Sequence, residues 1–396
     1  MSEDLVILSG ARTAMAEYSG TPGGGTFKDV SANVLGGHAI KAALERSKVK
    51  PEAVDHVVMG NAMQTGADSI YGARHAGLHA GIPKEVPALT VNRLCGSGIQ
   101  SIVSAAHMLL TGEAGIVVAG GMENMSQAPH VVRGLRGQGL RLGQQPAIED
   151  SLMVNLLDGV CGLYMAQTAE KLAKQYGITR QAQDEFAMRS HREGTRAVQS
   201  GIFKDEIVPV PVKKGVWDKD DHIKPETSLE ALAQLMPAFG KEGTVTAGNA
   251  SGIVDAAAAV VVTTAKRAQA DGLAAQGRIV SWATVGVDPS IMGIGPAPAI
   301  RKACEKAGLK QDQIDLFEIN EAFSAQYLAV EKELGLDRSR VNVNGGAVAI
   351  GHPLAATGTR LILTLLGELR RRGKKYGCAS ACIGGGQGIA MIVERV

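Results

Sequence analysis

The chain has 396 residues, 45% of them hydrophobic and 20% charged, with a net charge of +2. That length suits two or three packed domains, and the mixed charge excludes a dedicated nucleic-acid-binding or membrane-surface protein. Aromatic residues make up only 4%, too few for a base-stacking platform.

The opening stretch, MSEDLVILSG, is acidic and then strand-like, unlike a signal or transit peptide. No apolar run reaches the roughly 18 residues that span a bilayer. The expectation is a cytoplasmic protein with no membrane insertion. Residues 39–58, AIKAALERSKVKPEAVDHVV, read as an amphipathic helix, a polar loop and a strand. Residues 90–101, TVNRLCGSGIQS, read as a strand, a turn and a helix start that places Cys95 at the helix N-terminus. Residues 115–123, GIVVAGGME, read as a buried strand ending in glycine. Between 123 and 251 polar loops alternate with helical stretches, one of them opened by Thr179 as N-cap. This region reads as an insertion over a substrate site.

The chain then repeats itself. Residues 299–318, AIRKACEKAGLKQDQIDLFE, match 39–58, with Ala39/Ala299, Ile40/Ile300, Ala43/Ala303 and Asp55/Asp315 identical. Asn61 after the first strand corresponds to Asn320 after the second. TVNRLCGSGIQS corresponds to NVNGGAVAIGHPLAATGTR at 342–360, and GIVVAGGME to CASACIGGGQG at 378–388. Two copies of one α/β unit are expected to face each other. The densest basic run, RRRGKK at 370–375, ends a helix as a solvated face.

The cysteines are Cys95, Cys161, Cys304, Cys378 and Cys382. Their odd number and scatter argue against a disulfide framework, and without a CxxC pair no metal site is read. On one strand Cys378 and Cys382 lie roughly 13 Å apart, beyond disulfide reach. Cys95 at a helix N-terminus is expected to have a lowered pKa and an accessible thiolate. His352 of "GHP" stands at the equivalent end of the equivalent helix. Convergence of the two copies would make an activated nucleophile. Cys382 precedes three glycines whose N–H groups suit an oxyanion hole, and is a candidate acid or base. Asn320 is a candidate holder of a water or carbonyl oxygen. The plain readings are a small buried hydrophobe for Cys95, a structural histidine for His352 and a turn former for Asn320.

NRLCGSG, GTVTAGNASG, NEAF, NVNGGAVAIGHP and ACIGGGQG, in this order along essentially the whole chain, resemble the thiolase family. The stretches PSIMGIGPAPAI and QYLAVE are similar to its 3-ketoacyl-CoA and acetoacetyl-CoA members. The resemblance implies two repeated α/β cores in a layered α-β-α-β-α sandwich plus an inserted loop domain. The N-terminal core would be 1–122 with 252–273, the loop domain over the substrate site 123–251, and the C-terminal core 274–396. It implies an acyltransferase with Cys95 as the acyl-accepting nucleophile and His352 as its activator and an oxyanion donor. Cys382 would exchange the α-carbon proton. Asn320 would fix a water, and the N–H groups of Cys95 and Gly384 would form a second oxyanion hole. Ser251, Met165 and Phe323 would line the pantetheine tunnel, with Ala247 among the CoA contacts and Lys224 near the adenine. Coenzyme A and acyl-CoA would be substrates, with no cofactor and no metal, and the assembly a homodimer or homotetramer.

Tyr164 in LYMA stands where many acetoacetyl-CoA thiolases carry a histidine bordering the acyl pocket, and Ala355 stands where glycine is usual. The alternatives are a ketoacyl-synthase-type condensing enzyme, against which Cys382 speaks, and a non-catalytic CoA-binding thiolase-like protein, against which Cys95, His352 and Cys382 together speak.

Overall fold

The computed structural model describes residues 4–137, 139–240 and 242–396. Nine strands form one continuous path: β1 (Leu5–Thr13), β2 (His56–Gly60), β3 (Ala88–Val91), β4 (Ile116–Glu123), β5 (Val254–Thr264), β6 (Gly277–Gly286), β7 (Leu316–Ile319), β8 (Tyr376–Ile383) and β9 (Gln387–Arg395). Their spatial order is β7-β8-β9-β6-β1-β5-β4-β2-β3, with the short strands Ala16–Glu17 and Ile207–Val208 attached to β5 and β1.

The path is two sheets joined at a seam. β1 and β6 share only the pairs Val6–Arg278 and Ile7–Gly277. On one side β1, β5 and β4 run antiparallel, then β2 and β3 add in parallel. On the other side β6, β9 and β8 run antiparallel and β7 adds in parallel. A parallel bridge from Phe317 to Val341 takes the place of β3. The repeat read from the sequence is therefore a repeat of topology.

The same helix is capped differently in the two copies. In α1 (Ala32–Ser47) the Ser31 hydroxyl accepts from the Val34 N–H and the chain leaves through Lys48 at φ 57°. The second copy's helix, Pro296–Ala307, starts on proline and leaves through Gly308. Both devices satisfy helix ends, so the repeat survives without identity at the caps.

Five layers result. α1 and α2 (Gly72–His79) cover the outer face of the first sheet through Leu35, Ile40, Ala76, Met59 and Val118. α3 (Ser97–Leu110) and α8 (Leu354–Arg371) fill the space between the sheets, joining Ile99, Ile102, Leu361 and Leu365 to Val117 and Ala381. The helix 296–307, here α6, and α7 (Ser324–Leu334) cover the outer face of the second sheet with Ile300, Leu328, Phe317 and Ile392. β4 is buried along its whole length, as a central strand covered on both faces must be. The expected α-β-α-β-α sandwich is borne out.

α4 (Met165–Tyr176) and α5 (Arg180–Gln199) pack Leu172 and Phe186 into the outer layer of the second copy. Thr179 caps α5, accepting from the Ala182 N–H at 3.1 Å. Buried Arg12 of β1 pairs with Glu206 at 2.9 Å and Asp220 at 2.8 Å, tying the 200–221 stretch to the first sheet. Removing either carboxylate would leave a buried charge short of a partner. Among the described residues no helix is long and apolar enough to cross a membrane.

Candidate active site

α3 and α8 cross where each carries a glycine. A Cβ on Gly98 would strike Thr359 and Ala355, and one on Gly358 would strike Ile99. Only glycine permits this approach. It brings the two helix N-termini, and the residues just ahead of them, to the same region. The reciprocity of Gly98 and Gly358 fixes the repeat: three residues earlier stand Cys95 and Ala355. Cys95 and His352 are at equivalent helix ends, as expected, but the counterpart of Cys95 is Ala355.

The turn ahead of α3 is built tightly. Leu94 has φ 47°, strained for a residue with a side chain, at a cost of about 1–3 kcal/mol. Asn92 Oδ1 accepts its N–H at 2.9 Å, and the Ser97 hydroxyl donates to its carbonyl at 2.7 Å. Cys95 follows at once, half-buried, and faces a cavity of about 420 Å³.

His352 lies on the same cavity wall. Its backbone N–H donates to Gly252 O at 2.9 Å. Its Nδ1 is 2.6 Å from the Thr357 hydroxyl, which itself donates to Pro353 O at 3.4 Å. An amide nitrogen only donates, so Asn320 Nδ2 at 3.3 Å makes Nε2 the acceptor and leaves Nδ1–H to donate to the Thr357 hydroxyl. Burial, with Arg360 adding to it, lowers the His352 pKa to about 3. The ring is neutral at working pH.

The expectation of a low Cys95 pKa is corrected here. Burial pushes it up to about 11, against the downward pull of the Gly384 and Cys95 N–H groups, while the Glu123 charge adds to the rise. Desolvation of the sulfur outweighs the helix end. At rest Cys95 is a thiol and His352 a neutral imidazole.

Cys382 is fully buried near the end of β8, among Met292, Ala322, Met165 and Phe323. Its pKa is pushed well up, first by burial and then by Cys95. Gly385 and Gly386, with φ 80° and 82°, turn the chain from β8 to β9. That turn leaves Gly384 on the cavity wall. Cys378 also lies on β8 but packs into the outer layer against α6 and α7.

Met165, Tyr164, Phe323 and Ser251 line the cavity with Cys95, His352 and Gly384. Asn320 reaches it through His352. Lys224 and Ala247 do not line it. Lys224 Nζ pairs with Glu17 at 3.1 Å beside His222, and Ala247 is exposed. Thr357, Phe239, Leu152, Leu156 and Met125 were not read from the sequence. Thr357 sits in a helical first turn with no motif of its own, and the others gain meaning only where distant loops meet.

This geometry is accompanied by full-length similarity. Residues 5–266 match the thiolase N-terminal domain family and 273–395 the thiolase C-terminal domain family. The chain belongs to the thiolase family. Mitochondrial 3-ketoacyl-CoA thiolase of Homo sapiens is 50% identical over 394 residues, 98% of each chain. Acetyl-CoA acetyltransferase of Escherichia coli (strain K12) is 48% identical over 398 residues, 100% of each. The crystal structure of human mitochondrial 3-ketoacyl-CoA thiolase in complex with CoA superposes on this thiolase with a TM-score of 0.96 at 50% identity. That match covers 100% of this chain and 98% of the other. The Bacillus anthracis acetyl-CoA acetyltransferase structure gives 0.96 at 45% identity, covering 100% and 99%.

Proposed function

We propose that this thiolase cleaves 3-ketoacyl-CoA, acetoacetyl-CoA included, with coenzyme A to give acetyl-CoA and a shortened acyl-CoA, and runs the reverse condensation. The observation that carries the reading is the meeting of Cys95 from one copy with His352 and Gly384 from the other on one largely apolar cavity wall. In the proposed sequence His352 Nε2 takes the Cys95 proton as the sulfur attacks the keto carbon. The bond between the α-carbon and that carbon breaks, and the departing enolate of acetyl-CoA takes a proton from Cys382. Coenzyme A then attacks the acyl-Cys95 thioester, giving its own proton to Cys382. Cys95 leaves and recovers its proton from His352. The N–H groups of Cys95 and Gly384 stabilise the tetrahedral oxyanion, and His352 with a water on Asn320 stabilises the enolate. Coenzyme A is a substrate and no cofactor is used.

The proposed division into two cores, 1–122 with 252–273 and 274–396, and a loop domain, 123–251, is supported by β5 returning to the first sheet. Lys224 keeps its proposed place near the nucleotide end of CoA, and Ala247 and Ser251 theirs along the pantetheine. A homodimer or homotetramer is favoured by edge strand β3, which exposes Leu89, and by exposed Ile70, Tyr71, Leu142, Ile148 and Val160. Free cysteines, all five among the described residues, suit a reducing compartment, and the cytoplasm is the proposal. The test is loss of the acetoacetyl-CoA enolate absorbance. It should require added coenzyme A, and no CoA-dependent loss with any 3-ketoacyl-CoA would refute the reading.

Chain length is read from one contact. Tyr164 stacks on Phe239 with ring centroids 5.2 Å apart, and both line the cavity. We propose short to medium acyl chains, with acetoacetyl-CoA among them. Tyr164→Ala should raise kcat/KM for C8 and C12 substrates relative to C4. The change should be graded, about fourfold per newly accommodated methylene, from ~0.8 kcal/mol each. An unchanged profile from C4 to C12 would remove Tyr164 from the acyl pocket.

A further inference from the structure

The repeat gives the Cys95–Cys382 site a counterpart elsewhere in the chain. Asn61 and Asn320 each follow the equivalent strand, β2 or β7. The neighbouring strands pair in the same register, Gly60 with Gly121 and Ile319 with Ser380. Two residues beyond these partners stand Glu123 and Cys382. The position of the second cysteine is thus filled, in the other copy, by a buried carboxylate. The position of Cys95 is filled there by Ala355.

Glu123 is fully buried and accepts four hydrogen bonds. Its Oε1 takes the Met63 N–H at 2.8 Å and Asn61 Nδ2 at 3.1 Å. Its Oε2 takes the N–H groups of Ala62 and Ala355, each at 3.1 Å. The last of these matters most. α8 starts at Leu354 and has no side-chain cap of its own. Ala355 carries one of the amides that every helix N-terminus leaves without an internal partner. Glu123, from a different strand, supplies that partner and a negative charge at the positive helix end. The first turn so held contains Thr357, whose hydroxyl fixes His352 Nδ1. Among the described residues no carboxylate caps the equivalent end of α3, and there Cys95 meets the cavity.

We infer that Glu123 is a positioning residue: by capping α8 from β4 it holds Thr357, and through it the His352 imidazole, in the orientation that receives the Cys95 proton. The inference rests on the proposed thiolase chemistry. The charge of Glu123 is also felt at Cys95. Burial, with Asp255 adding, raises the Glu123 pKa to about 7. Asp255 of β5 and Cys95 ahead of α3 are the titratable groups facing it, while α8 and the 61–63 segment present amides.

The test uses Glu123→Gln and Glu123→Asp in the full chain. Acetoacetyl-CoA cleavage is measured alongside the pH dependence of Cys95 alkylation by iodoacetamide, read by peptide mapping. Gln keeps the reach but sets an NH2 against N–H donors and removes the charge. Its kcat should fall about 10- to 100-fold with KM within about threefold, the range for a group that orients a reacting side chain. Its Cys95 alkylation midpoint should move to lower pH, because a facing negative charge is gone. Asp keeps the charge but shortens the reach. Its midpoint should stay with wild type, and its kcat should lie between the other two. Wild-type kcat in Gln, or equal losses in both variants with the midpoint unmoved, overturns the proposal. Should Gln not fold, Asp decides alone: kcat lowered at least about threefold at unchanged KM supports the proposal, and wild-type kcat overturns it. A wild-type protein that cleaves no 3-ketoacyl-CoA defeats the functional reading instead. The alkylation midpoints then still report whether Glu123 faces Cys95.

Discussion

Cys382→Ser should still take an acetyl group from acetyl-CoA onto Cys95 while failing to complete cleavage of acetoacetyl-CoA. The two cysteines have separate proposed tasks, and their surroundings differ accordingly. Cys95 opens onto the cavity with His352 on the same wall. Cys382 is sealed behind it among Met292, Ala322, Met165 and Phe323. A serine hydroxyl there fits the space but is a far weaker acid than a thiol. Turnover should drop on the order of 10²–10⁴-fold, the range for losing a positioned acid or base. Acetylation of Cys95 should slow far less, because the coenzyme A thiolate that Cys382 would protonate in that step is already a good leaving group, whereas the α-carbon must be protonated for cleavage. Cys378→Ser is the control. That thiol packs between β8 and the outer helices, so the variant should lose about 1–3 kcal/mol of stability to a buried hydroxyl yet keep near-wild-type turnover. A dead Cys378→Ser beside an active Cys382→Ser would reverse the assignment.

Cys95→Ala should be the most damaging single change. It removes the atom to which the acyl group would be transferred and leaves the strained turn at Leu94, the α3 N-terminus and the cavity in place. Loss of turnover on the order of 10³-fold or more follows, at least about 4 kcal/mol of transition-state stabilisation. Cys161 is partly exposed and does not line the cavity, so it offers no substitute nucleophile. Binding should persist, because the cavity walls are untouched. Coenzyme A should raise the melting temperature of the variant about as much as that of the wild type. Residual cleavage within tenfold of wild type would remove Cys95 from the chemistry.

The repeat made much of this legible. Ala39 matches Ala299 because the same helix packs on the same sheet in both copies, and Asp55 matches Asp315 because each carboxylate accepts the two backbone N–H groups where the neighbouring strand begins, Gly115 and Ile116 or Lys375 and Tyr376. They therefore report topology, and topology brings the helix ends together. The glycine run after Cys382 marked Gly384, whereas the close α3–α8 crossing at Gly98 and Gly358 appeared only in the fold. The Cys95 pKa was not legible. A helix end can be read locally, but the burial that outweighs it exists only once the chain is folded. Thr357, the Leu94 strain and the Glu123 cap were hidden likewise: each acts through a hydrogen bond or dihedral that exists only when the chain is folded. Lys224 illustrates the opposite limit. A family position proposes it near the nucleotide end of CoA, while its ion pair with Glu17, about two hundred residues away in the chain, could be seen only in the fold.

The most direct measurement is to mix the wild-type protein with radiolabelled acetyl-CoA, quench with acid, digest and map the label over the five cysteines. The proposed mechanism predicts an acetyl thioester on the peptide containing Cys95, discharged when free coenzyme A is added. Label on the peptides of Cys161, Cys304, Cys378 or Cys382, or no label that coenzyme A discharges, would contradict it.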